Sequence, residues 1–363
     1  MVNKVIATFF ALIPRSIKIW LSTWFHKTNL SLPSGNRALV FLAADYGNIG
    51  DLAITAAQES FLRSTLKDYS IIRVPISSTR SLLDSIKHQV LASDVITIVG
   101  GGNMGSLYSD IEELRQLVIK SFPNNRIICF PQTLDWDNSK VSQRALRKIV
   151  RVYSAHADIH IFARESVTRD KLEALFSAYA NVTIGYAPDI VLSASRIVFC
   201  RHADIHPAGI LLCLRDDRES VIKPQQRMIL EDMLINTGMP VEVTDTHVGG
   251  IRLDKFRCEQ LLAEKLNQFS SSRLVVTDRL HGMILSIVAG TACLVLPNAN
   301  HKIHQTWLDW LDDKPQVQFI MSDCFNLIPE VVENLLAYER CSPVNPPLDL
   351  GNYDELRQSV TYP

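Results

Sequence analysis

The chain has 363 residues, 47% of them apolar and 21% charged, with a formal net charge of −1. That length favours two domains over a single core, and the composition is that of a soluble globular chain rather than a disordered one. The near-neutral balance removes the electrostatic reason to expect nucleic acid as a main partner. Seven scattered cysteines without a C-x-x-C pair point to reduced, buried thiols in a cytosolic protein, not a disulfide frame or zinc site.

The N-terminus differs from the rest. No acidic residue occurs before Asp45, while Lys4, Arg15, Lys18, Lys27 and Arg37 are basic. The apolar run VIATFFALI meets Pro14-Arg15 too early to span a bilayer. No small-residue cleavage site follows it cleanly, which weighs against a signal peptide. SIKIWLSTWF mixes aromatics with cations, as an interfacial helix does. Residues 1–36 are therefore expected to form a basic amphipathic segment, packed on the protein's own surface or touching a membrane surface. The second alternative would make the protein peripheral at the inner face of the cell membrane.

From residue 38 onward the pattern alternates. The apolar runs ALVFLAA, YSIIRV, VITIV, RIICF and DIHIF are separated by helix-like segments such as DLAITAAQESFLRSTLK and KVSQRALRKIVRVYSAH. A second series, AGILLCL, MPVEVTD, RLVVTD and ACLVLP, begins near residue 208. Continuous apolar strands alternating with helices predict parallel sheets covered on both faces. Between the series, residues 187–209 lack a helical period and carry two prolines. The spacing predicts an α/β chain of two doubly wound, Rossmann-like domains, 37–195 and 196–325, followed by a helix and proline-rich tail over 326–363. Ligands of such sheets bind beyond the carboxyl ends of the strands.

Candidate chemistry lies at those strand ends. DYGNIGDLAI places Gly47, Asn48, Gly50 and Asp51 between the first strand and first helix. No lysine follows, and Asp51 would repel an anion. Asparagine and aspartate on a glycine turn suit sugar hydroxyls, or Asp51 simply caps the helix. ITIVGGGNMGSLY satisfies G-x-G-x-x-G through Gly100, Gly102 and Gly105. It follows the third apolar run rather than the first, and RIICF ends in Pro131-Gln132-Thr133 with no carboxylate to hold a ribose, which disfavours NAD. What the glycines offer is close backbone approach and free N–H groups, beside Asn103.

In the second half, Arg215 follows a buried strand in LLCLRDDRES, where a clamp on a dianion could stand. VVTDRLHGMILSIVAG reads as a β-run, an N-cap at Thr277 or Asp278, and a helix whose first turn carries Arg279 and His281. Unpaired N–H groups and the helix dipole favour an anion there. A guanidinium can hold it in bidentate fashion, and an imidazole can exchange a proton near neutral pH. In LPNANHKIHQTW, Asn298, Lys302 and His304 could reach the cleft, and Lys302 could complete an anion site. His301 and His304 have no zinc spacing with a cysteine or acid, so no metal is expected.

These motifs, in this order, resemble the polysaccharide pyruvyl transferase family: GNIGD, GGGN, R-D-D, D-R-L-H-G and the region N-A-N-H-K, over roughly residues 38–315. Pro297 stands where the family has an acidic residue, and Asn300-His301 replace Tyr-Gly before Lys302. The resemblance implies a GT-B-like fold and transfer of pyruvate from phosphoenolpyruvate onto a sugar as a ketal, with no further cofactor. It implies donor handling by Arg215, Arg279 and His281 as the catalytic set, with Leu280 and Lys302 beside them. The expected acceptor wall is Asn48, Asp51, Gly101, Gly102 and Asn103, facing a glycan or lipid-linked oligosaccharide. Phosphoenolpyruvate independently suits the residues: two anionic groups require fixed cations, and its methylene carbon requires a positioned acid. Two rivals share the frame, a GT-B nucleotide-sugar glycosyltransferase and a non-catalytic glycan-binding protein. A ribose-binding glutamate would favour the first, but none lies between Lys302 and Glu330. An anion clamp argues against the second.

Overall fold

The computed structural model describes residues 30–200, 207–217, 219–339 and 345–361. The basic segment predicted at the N-terminus therefore lies almost wholly outside the described residues. The first series of elements is β1 (Asn36–Ala43), β2 (Tyr46–Asn48), α1 (Ile49–Thr65), β3 (Tyr69–Pro75), α2 (Thr79–Ile86), β4 (Val95–Ile98), β5 (Gly101–Gly105), α3 (Ser109–Ser121), β6 (Ile127–Asp135), α4 (Lys140–Tyr153), β7 (Ile159–Ala163), α5 (Ser166–Phe176) and β8 (Val182–Tyr186). They build a parallel sheet in the order β3-β1-β4-β6-β7-β8, and β5 continues from β4 along the flank of β6.

Two short 3-10 turns (Ile190–Ser193 and Arg196–Val198) lead to the second series. It comprises β9 (Ile210–Cys213), α6 (Pro224–Ile235), β10 (Val241–Val243), β11 (His247–Ile251), α7 (Lys255–Ser270), β12 (Leu274–Thr277), α8 (Leu280–Val288), β13 (Ala292–Val295), α9 (Lys302–Trp310) and β14 (Val317–Phe319). Five of its strands pair in parallel as β10-β9-β12-β13-β14. After α10 (Ile328–Ala337) the chain returns to the first sheet: α11 (Asp354–Thr361) packs on α1 and β8, and Ser359 meets His160 at 3.1 Å.

The strands are apolar because both faces are covered. Every residue of β9, β12 and β13 is buried, as are seven of the eight in β1. α8 is buried nearly all round, and each of its aliphatic side chains contributes roughly 1.5–3 kcal/mol by leaving water. One apolar cluster runs from Phe61, Phe130 and Phe162 of the first series to Met283 and Ile284 of the second, so the two sheets share a core. Among the described residues five cysteines are buried free thiols and Cys324 is half-buried; burial pushes the Cys129 thiol up to about 12.

The sheets are also stitched by a two-stranded antiparallel ladder of β2 and β11, pairing Asn48 with His247 and Tyr46 with Ile251. Ile49 N–H donates to Thr246 O at 2.8 Å, and Leu253 N–H to Asp45 O at 2.9 Å. Only glycine fits at position 47, since a β-carbon there would lie 1.7 Å from the carbonyl oxygen of Gly249. Each parallel sheet has one topological switch point, where the chain reverses the direction in which it adds strands. These lie between β1 and β4 in the first and between β9 and β12 in the second. The crevices outside those strand ends are the ligand-binding places of doubly wound sheets.

Candidate functional site

A cavity of about 550 Å³ lies between the sheets, and both switch points open into it. One wall carries Tyr46, Asn48 and Asp51 after β1, Gly102 and Asn103 after β4, and Arg164 after β7. The other carries Arg215 after β9, Arg279, Leu280 and His281 after β12, and Lys302 at the start of α9. Asn298 and His304, expected to reach the cleft, do not line it, the His304 ring packing instead against Trp307 and Phe319. Of the remaining donor and acceptor candidates, Gly101 alone is absent from the lining. It sits behind the first wall, and a β-carbon there would be 3.4 Å from Ile54 and 3.7 Å from Asp51.

α8 starts later than its sequence suggests. Its N-cap is Arg279 in extended conformation, and neither Thr277 nor Asp278 caps it. Thr277 Oγ1 instead donates to Cys213 O at 2.7 Å and accepts from Arg279 N–H at 3.1 Å. Asp278 accepts the Arg215 backbone N–H at 2.8 Å. The two polar residues thus lock the end of β12 to the end of β9, which fixes the relative placement of Arg215 and Arg279. Asp278 is fully buried, and burial pushes its carboxyl up to about 6.

His281 stands on a buried carboxylate. Its Nε2 lies 3.5 Å from Asp189 Oδ2, and the same oxygen accepts from Arg164 Nη1 at 2.7 Å. Asp189 Oδ1 accepts from Val191 N–H at 3.1 Å, and its carbonyl from Tyr353 OH at 2.9 Å. Burial raises the Asp189 carboxyl, but hydrogen bonding and charge from His281, with Arg164, outweigh it and hold the group well below the usual carboxylate range. Arg164 is buried and also donates to Thr133 Oγ1 at 2.7 Å. Neither Asp189 nor Arg164 was among the sequence candidates. Arg164 carried the same signal as Arg215 and Arg279, a cation straight after an apolar strand. Asp189 had no such mark, lying in the aperiodic stretch between the two series.

On the first wall, Asn48 rather than Asp51 caps α1. Its side-chain oxygen accepts from Gly50 N–H at 3.0 Å and Asp51 N–H at 3.4 Å, leaving the amide N–H groups for the cavity. Asp51 accepts from Tyr46 OH at 2.8 Å, and burial keeps that phenol protonated, with its pKa well above the ordinary value. Asn103 is similarly committed through its oxygen to Arg115, a buried guanidinium paired with Glu112. The glycine run is extended strand beside β6, not a turn opening a helix.

The three cations expected to form a clamp all line the cavity, but their charges are already countered. Arg279 pairs with Asp245 at 2.8 Å, Arg215 with Asp217 and Glu219 at 2.8 Å each, and Lys302 with Glu219 at 3.0 Å. The bidentate contact with Arg215 holds Asp217 down at about 2. Burial lowers the Lys302 ammonium, partly offset by Glu219. Asp217 and Asp245 are 45% and 42% exposed, whereas Glu219 is buried. An arriving anion can therefore displace the two aspartates into water while Glu219 stays in place. Among the described residues no group of three or more His, Cys, Asp or Glu could hold a metal, and no helix is long and apolar enough to cross a membrane.

Comparison with known proteins bears on the family and the fold. The family model described as polysaccharide pyruvyl transferase matches residues 48–300, a span that leaves out Tyr46 and Lys302 of the cavity lining. General stress protein 30 of Bacillus subtilis is 30% identical over 304 residues, covering 84% of this chain and 86% of its own. Pyruvyl transferase 1 of Schizosaccharomyces pombe is 27% identical over 285 residues, 73% of this chain and 68% of its own. Among solved structures, the UDP-GlcNAc 2-epimerase of Methanocaldococcus jannaschii in complex with UDP-GlcNAc and UDP aligns over 91% of this chain and 100% of its own. Its TM-score is 0.51 at 12% identity, a likeness of GT-B-like fold.

Proposed function

The chain belongs to the polysaccharide pyruvyl transferase family, and on that premise we propose that it moves pyruvate from phosphoenolpyruvate onto one sugar of an exopolysaccharide, a cell-surface glycan or their lipid-linked precursor. The product is a cyclic ketal, and phosphate is released. The carrying observation is the convergence of Arg215, Arg279, Lys302 and His281 on one wall of a cavity whose opposite wall offers Arg164, amides and a carboxylate. The reaction would take place on the cytoplasmic side, where phosphoenolpyruvate is made.

Arg279 and Arg215 are suited to clamp the donor's carboxylate and phosphate, replacing Asp245 and Asp217 as partners, with Lys302 as a further cation. His281 is the candidate acid. A proton passed to the methylene carbon leaves positive charge at C2, which a sugar hydroxyl attacks. The C2–O bond to phosphate then breaks, and a second hydroxyl of the same sugar takes its place. Of the two hydroxyl protons, one replaces that delivered to the methylene carbon and the other leaves with phosphate. Asp189 acts as a positioning residue, orienting the imidazole. Asp51 can accept a hydroxyl proton, while the Asn48 and Asn103 amides and the Gly102 backbone can hold the sugar's other oxygens.

A ligand screen by thermal shift tests the donor directly. Phosphoenolpyruvate should raise the unfolding temperature in proportion to occupancy, and UDP, GDP and NAD should not. Stabilisation by UDP alone would favour a nucleotide-sugar transferase instead.

A further inference from the structure

The rim of the cavity carries apolar side chains that serve no core. Ile251 is 80% exposed, Phe256 76% and Val248 41%, while Asp245, Thr246 and His247 immediately before them line the cavity. Singly exposed apolar residues are ordinary, but this group is concentrated within one short segment at a ligand entrance. Arg252, Lys255 and Arg257 lie in the same segment and are exposed. Arg252 holds φ at 53°, a left-handed conformation that costs a non-glycine residue on the order of 1 kcal/mol and concentrates at working segments.

The neighbouring acids offset these cations only in part: Asp45 faces Arg252 but is buried and also bonded to Ser77. Asp254 is occupied in capping α7, accepting from Arg257 N–H at 2.8 Å. Lys255 and Arg257 approach Glu259 and Glu264 only at 3.7 and 3.8 Å, in solvent, where such pairs contribute little. We propose that the segment from Val248 to Arg257 docks on a bilayer bearing anionic phospholipid. Ile251 and Phe256 enter the boundary between headgroups and acyl chains, and Arg252, Lys255 and Arg257 meet the phosphates. The cavity then opens beside the membrane, so a lipid-tethered glycan reaches it without leaving the bilayer. That consequence rests on the pyruvyl-transfer reading; the docking itself does not.

Flotation of the full chain with vesicles tests it, comparing phosphatidylcholine alone with phosphatidylcholine mixed with phosphatidylglycerol. Binding is expected with the mixed vesicles. Ile251→Ser with Phe256→Ser should weaken it roughly tenfold, and Arg252→Glu with Lys255→Glu and Arg257→Glu on the order of a hundredfold. Hydrogen exchange should show residues 247–258 gaining protection on vesicle addition. Unchanged partitioning in both variants, or protection confined to the basic N-terminal segment, overturns the proposal. So does a change in oligomeric state by sedimentation without a change in vesicle binding, which would make the patch a contact between copies. These readouts involve no catalysis, so an inactive enzyme would leave the docking result standing.

Discussion

A β-carbon on Gly50 would lie 2.3 Å from Nδ1 of His281 and 2.9 Å from its Cβ. The helix start after β1 and the helix start after β12 therefore meet with an imidazole pressed against a bare Cα, and two separate glycine and histidine motifs are parts of one contact.

Gly50→Ala should thus act through the ring. Alanine inside a helix is favoured over glycine by up to about 1 kcal/mol, so a loss of stability must come from displacing His281. Activity should fall roughly a hundredfold. In a His281→Ala background the same substitution should cost no stability, and a double-mutant cycle of thermal unfolding reads that coupling. Equal costs in both backgrounds would remove the contact from the mechanism.

Asp189→Asn should lower kcat by about 10²- to 10⁴-fold with a smaller change in KM for phosphoenolpyruvate. Because the folded Asp189 carboxyl is held well below the usual range, the stability it contributes is complete above about pH 4 and is lost as pH falls further. Thermal unfolding of the wild type should decline on that side, and the asparagine variant should lack this component. A variant with wild-type kcat would reduce Asp189 to a structural partner of Arg164.

Asp245→Asn frees Arg279 from its counter-ion at 2.8 Å. The expected result is a KM for phosphoenolpyruvate lowered by about two- to fivefold, the span of a partly exposed ion pair. Steady-state kinetics with varied donor gives the value. A raised KM would mean that Asp245 touches substrate rather than merely competing with it.

Asp278→Asn should stabilise the protein at neutral pH. The folded carboxyl titrates near 6, against an ordinary value of 3.8. The folded state holds this proton more tightly than the unfolded one, so wild-type stability declines as pH rises from about 4 to 6 and is level above. Asparagine retains the acceptor for the Arg215 N–H and lacks the decline. A gap on the order of 1–3 kcal/mol in its favour should open across that window. A gap independent of pH would contradict the assignment.

Much of this site was legible along the chain because its positions follow from strand periodicity. Arg215, Arg279 and His281 stand directly after apolar runs, and parallel doubly wound sheets send all such positions to one edge. The β2–β11 ladder was not legible. YGN and HVGGI are short, glycine-bearing and aperiodic, and each is a strand only because the other lies beside it. The counter-ions were hidden for a related reason. Glu219 meets Lys302 across 83 positions and Asp245 meets Arg279 across 34, distances that no local pattern spans. The helix-start signal at Thr277 and Asp278 does not reveal that a neighbouring strand end claims both side chains.

The most direct measurement is phosphate release from phosphoenolpyruvate with the host's glycan acceptor, followed in parallel with pyruvate incorporation into that glycan. Both should appear in equal amounts with the wild-type protein, and both should vanish in folded Arg279→Ala and His281→Ala variants. Full turnover in either variant would contradict a donor gripped and protonated at the start of α8.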